Sequence, residues 1–109
     1  MNANARTARI TQLRESIARR ALTDIGAPAT TRILDTRHTG NVIIVASEDP
    51  TNRWSRYYIE TFRAPNANDI DPRRGDTPKH LIPIAGWSTD SADDIDGLLA
   101  KAIAYATTA

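Results

Sequence analysis

His38 and His80 are the only imidazoles in the chain, and neither has a second ligand at a helical or strand spacing. A metal site needs several donors converging on one point, so local sequence supplies none. Cysteine is absent, which removes disulfides, thiolate zinc sites, iron–sulfur ligation and cysteine nucleophiles. Asp90, Asp93, Asp94, Asp96 and Gly97 superficially resemble a calcium loop. With Gly97 at the sixth loop position, however, the first falls on Ala92 and the twelfth on Ile103, where carboxylates are required. Asp35, His38 and Ser47 are the residue types of an acid–base–nucleophile set, but such a set is defined by geometry and not by order in the chain. The five glycines stand apart, with no phosphate-binding loop, nucleophile elbow or dinucleotide fingerprint. The chain calls for no cofactor and no metal. A small enzyme with a site near His38 or His80 is the third-ranked reading.

Binding chemistry is better represented. Across 53–63 the sequence is rich in sheet-forming Trp, Tyr, Ile, Thr and Phe. On a continuous strand Trp54, Arg56, Tyr58, Glu60 and Phe62 share one face, while Ser55, Tyr57, Ile59 and Thr61 share the other. The second set suits a face under helices, leaving Trp54, Arg56, Tyr58 and Phe62 on an open face. Exposed aromatics beside arginine are what protein interfaces enrich. The leading expectation is therefore a non-catalytic interaction module that contacts a second copy or a larger protein. The reverse orientation, with the aromatics buried and Arg56 reaching out, fits the same alternation.

Charge supports a second expectation. The chain carries 14 Lys and Arg against 13 Asp and Glu, a net of +1. Residues 1–68 hold ten arginines against six acids, whereas 69–109 hold four bases against seven acids. A nucleic-acid-binding accessory protein would use Arg9, Arg19, Arg20, Arg53, Arg56, Arg73 and Arg74, since arginine binds phosphate with two parallel donors. Arg74–Gly75–Asp76 lies in a Pro-rich stretch and reads as turn chemistry.

The elements that would position these residues are legible from period and punctuation. Ile10, Leu13, Ile17 and Ala21 form one helical stripe, stopped by Gly26 and Pro28. Thr30–Arg37 and Val42–Ala46 read as strands joined by a tight turn at His38–Asn41. Ser47–Asn52 is a loop, and Arg53–Arg63 a long third strand. Residues 64–78 form a flexible loop without periodicity. Lys79–Ser88 is a fourth strand held to an edge by Pro83, whose nitrogen cannot donate to a ladder. Ser91, with Asp94 three residues on in place of the usual Glu, resembles a capping box for a last helix with an apolar stripe of Ile95, Leu98, Leu99, Ala102, Ile103 and Ala106.

The expected fold is α+β, a single domain over 1–109 in the order α-β-β-β-β-α. It has two layers, an antiparallel sheet of three to four strands with both terminal helices on one face. The order of a helix, three strands and a helix is also that of the double-stranded-RNA-binding domain. Asp90–Asp96 would repel phosphate where that family carries lysines, so order alone assigns nothing. No apolar run approaches the roughly 20 residues of a membrane span, and residues 1–10 hold no signal-like stretch, so the expectation is a soluble, cytoplasmic protein.

Overall fold

The structure, a computed structural model, describes residues 15–52, 54–63 and 81–108. The expected loop at 64–78, together with Arg9, Arg53, Arg73, Arg74 and His80, lies outside the described residues.

Helix α1 (15–24) is stopped as the sequence predicts. Gly26 adopts φ 85°, its N–H donates to the Thr23 carbonyl at 3.0 Å, and Ala27 N–H donates to Leu22 O at 2.9 Å. This pair of bonds is a Schellman closure, and it needs a residue that tolerates the left-handed region. Ala27 completes it by packing on the apolar cluster that holds Leu22.

Four strands follow as an antiparallel meander in spatial order β1 (Arg32–Thr39), β2 (Val42–Glu48), β3 (Tyr57–Arg63) and β4 (Ile82–Thr89). Thr39 pairs with Val42, leaving Gly40–Asn41 as a two-residue hairpin loop with Gly40 at φ 59°. Pro83 lies opposite Phe62, where the β3–β4 register shifts, and β4 is an edge strand as the proline requires. A 3-10 turn, Ala92–Asp94, leads into α2 (Ile95–Thr108). The Ser91 hydroxyl accepts from Asp93 N–H at 3.3 Å. The Asp94 carboxylate does not reach back to Ser91 as a capping box would have it. It accepts from the Thr89 hydroxyl at 2.8 Å, and the Thr89 oxygen accepts from Ser91 N–H at 3.2 Å.

Class, strand pairing and element order are as the sequence predicts; the layering differs. Ile17, Ala18, Ala21 and Leu22 of α1 pack on Ile43, Val45 and Phe62. Leu99, Ala102 and Ala106 of α2 pack on Val42, Ile44, Ala46 and Ile59. Consecutive residues of β2 point to opposite faces, so the helices cover opposite faces of the sheet and not a shared one. The cause is in β2 itself. Every residue from Val42 to Glu48 is buried, and a strand with no polar alternation needs a cover on each side. On the α2 side, Trp87 meets Tyr105 edge to face with ring centroids 5.9 Å apart, tying the helix to β4. Among the described residues no helix is long and apolar enough to cross a membrane.

Candidate binding loop and adjoining cavity

With a helix on each face, the expected open aromatic face is not formed. Phe62 is 0% exposed beneath α1, and Tyr58 is half-buried on the same side. Ile59 and Thr61 point toward α2, where the buried Thr61 hydroxyl donates to the Ala85 carbonyl at 2.8 Å. Of the four residues expected at an interface, Trp54 and Arg56 remain at the surface, and Trp54 is 89% exposed.

Trp54 leaves the aromatic row because β3 begins at Tyr57 and not at Arg53. Asn52 explains the shortening. Its side-chain oxygen accepts from the backbone N–H groups of Trp54, at 2.9 Å, and Ser55, at 3.0 Å. Donors captured by a neighbouring side chain favour a turn over a ladder. The Asn52 amide in turn donates to the Tyr58 hydroxyl.

Asp49 anchors the other end of this loop. One carboxylate oxygen accepts from Thr51 N–H at 3.1 Å, the Thr51 hydroxyl at 2.7 Å and the Thr30 hydroxyl at 3.0 Å. The Thr51 hydroxyl is the main reason the Asp49 carboxyl sits below its ordinary value; burial opposes it, and Thr51 N–H and Thr30 assist. Asp49 N–H donates to Arg56 O at 2.8 Å, closing the loop at its base. The guanidinium of Arg56 donates to Glu48 at 2.8 Å and lies 5.8 Å from the centre of the Tyr57 ring. Arg32 reaches the other Glu48 oxygen at 3.1 Å. Glu48, at the end of β2, thus joins Arg32 of β1 to Arg56 just before β3, and its hydrogen bond holds the Arg56 guanidinium above its ordinary value.

Between the end of α1 and this loop lies a cavity of about 200 Å³. Leu22, Ile25 and Pro28 form an apolar wall, and Asp49, Tyr58 and Glu60 contribute polar atoms. Burial raises the Tyr58 hydroxyl above its ordinary value, with the charges of Asp49 and Glu60 adding to it and the Asn52 hydrogen bond opposing. Glu60 is raised by burial alone. Neither Glu60 nor Asn52 was singled out from sequence for these roles. Asp49-Pro-Thr51-Asn52 did carry the signature of side-chain-stabilised turns.

The acid–base–nucleophile set is not assembled. Asp35 and His38 alternate to opposite faces of β1, and Asp35 accepts from Arg37 at 3.0 Å. His38 pairs with Ile43 while Ile33 pairs with Ser47, which puts imidazole and hydroxyl at roughly opposite ends of β2, about 14 Å apart at 3.4 Å per residue. No group of three or more His, Asp or Glu among the described residues is placed to hold a metal ion. Of the expected phosphate contacts, Arg19 and Arg20 line an open groove with Arg32 and Glu15. Arg19 also donates to the Thr31 carbonyl at 2.8 Å. Comparison of the chain with protein-family models, curated proteins and solved structures found no match.

Proposed function

We propose that this chain is a non-catalytic interaction module that binds a protein partner, a second copy or a larger protein, through the loop 49–56 with Trp54 as its anchor. The observation that carries this reading is a tryptophan 89% exposed on a loop whose backbone is held by Asp49 and Asn52. Tryptophan and arginine are the residues in which interface energy concentrates, and a pre-ordered loop loses little entropy on docking. Arg56 stands at the base of the loop, already oriented by Glu48. Tyr58 serves the reading from below, its hydroxyl accepting from Asn52 of the loop, while Phe62 belongs to the core under α1 and is not a contact residue.

Light scattering after size exclusion tests it on the wild type and Trp54→Ala. Self-association supports the reading when the variant returns to the 12.0 kDa of one chain with unchanged thermal unfolding. A wild type that stays monomeric, and that forms no protein cross-link from a photoreactive residue at position 54 in the cells that make it, overturns it.

The groove lined by Arg19, Arg20 and Arg32 favours a second reading, contact with nucleic-acid phosphates. Such binding weakens steeply with added salt as counterions are released. A flat salt titration with both DNA and RNA removes it.

A further inference from the structure

The cavity beside the loop holds a carboxylate that no described residue pairs with. Glu60 lies on the α1 side of β3, opposite Gly86 of β4, and its side chain turns over that glycine. Its carboxylate is half-buried, and it accepts no hydrogen bond and meets no cation among the described residues. A desolvated carboxylate left in this state costs free energy that an incoming cation would recover. Asp49 brings a second negative charge to the same cavity, and three donors already occupy one of its oxygens. No Lys, Arg or His is among the described residues lining the cavity. Opposite these acids stands the apolar wall of Leu22, Ile25 and Pro28, which gains from contact with a hydrocarbon and offers nothing to a bare inorganic ion.

We propose that this cavity binds a small aliphatic primary ammonium ion, its nitrogen donating to Glu60 and its carbon chain lying on Leu22, Ile25 and Pro28. The size agrees. About 200 Å³ corresponds to about seven waters at about 30 Å³ each, room for a short amine and too little for a drug-sized ligand. Tyr58 lines the same space with a hydroxyl that accepts from Asn52 and can still donate its own proton. Gly86 is part of the site without touching the ligand, because it leaves the space over which the Glu60 carboxylate folds.

The test is a titration of the whole chain near neutral pH, followed by calorimetry and by backbone NMR shifts. The probes are n-butylamine, n-butanol, sodium butyrate and ammonium chloride. Saturable binding of n-butylamine is expected, with shifts at the residues lining the cavity, weaker binding of ammonium chloride, and none of butanol or butyrate. Glu60→Gln should weaken n-butylamine by about tenfold or more, since a charge-assisted hydrogen bond is lost. Glu60→Asp keeps the charge and should retain saturable binding, which guards against a misfolded Gln variant. Trp54→Ala should bind the amine like the wild type, separating this site from the proposed protein interface. Absence of saturable n-butylamine binding, equal affinity in Glu60→Gln, or ammonium chloride binding as tightly as n-butylamine would each overturn the proposal.

Discussion

The carboxylate of Glu60 rests on the backbone of Gly86, so close that a Cβ at position 86 would fall 2.6 Å from one carboxylate oxygen. The two residues are partners across the β3–β4 pair, and Gly86 has no positive φ. The glycine is therefore explained by space and not by backbone conformation. Alanine ordinarily gains about 0.4–1 kcal/mol over glycine where the backbone allows it, through a less flexible unfolded chain. Gly86→Ala should lose that gain in the wild type, because the carboxylate must move aside. In a Glu60→Ala background the same substitution should stabilise. Urea unfolding of the four chains measures the coupling, expected at about 0.5 kcal/mol or more; additive effects would deny the contact.

The aromatic residues of 54–62 should separate sharply in stability. Phe62 is fully buried among Ile43, Val45 and the α1 stripe, so Phe62→Ala should cost about 3–5 kcal/mol in lost transfer energy and an unfilled cavity. Trp54→Ala removes a side chain already in water and should change stability by no more than about 0.5 kcal/mol. Chemical denaturation of the two single variants decides whether the pair belongs to one exposed face or to two environments.

The legible parts of this fold are those written in local chemistry. Gly26 and Pro28 announce the end of α1, Gly40–Asn41 the hairpin, Pro83 an edge strand, and the spacing of Leu99, Ala102 and Ala106 the buried side of α2. Which face each helix takes is a long-range choice. The unbroken apolar run Val42–Ala46 implies two covers, but helix stripes alone are equally consistent with one. The position of Trp54 was hidden for a different reason. Alternation assumes a continuous strand, and the Asn52 side chain ends that continuity by taking two backbone donors. The Glu60 site depends on Gly86, distant in sequence and brought near only by the β3–β4 register.

Asp49 and Glu60 should pull the pH dependence of stability in opposite directions. The Asp49 carboxyl is held below its ordinary 3.8, chiefly by the Thr51 hydroxyl, so its contribution is present above that value and is lost as the pH falls through the folded value. Asp49→Asn should be less stable than the wild type at neutral pH, and the gap should close in acid. Burial raises Glu60 above its ordinary 4.5, so the folded chain holds the proton longer than the unfolded one. Stability therefore declines as the pH rises from 4.5 through the folded value, and the cost is complete above it. Glu60→Gln should be more stable than the wild type at neutral pH, with the advantage vanishing below the ordinary carboxylate range. Urea midpoints from about pH 3 to about pH 8 read both slopes.

Glu48 is the one carboxylate of the described ion pairs that is itself buried, with a side chain 8% exposed, while Arg32 and Arg56 are 70% and 48% exposed. That asymmetry sets the cost of breaking the pairs. Removing the cation from a buried ion pair strands a charge, but removing Glu48 leaves two guanidinium groups that water can reach. Glu48→Gln keeps the shape and one acceptor oxygen, and it should cost about 1 kcal/mol, below the penalty of a fully buried pair. Arg32→Ala with Arg56→Ala should cost more, because the carboxylate then stays buried without either partner. Urea unfolding of the single and double variants should order them in that way, and the reverse order would place the desolvation cost on the arginines.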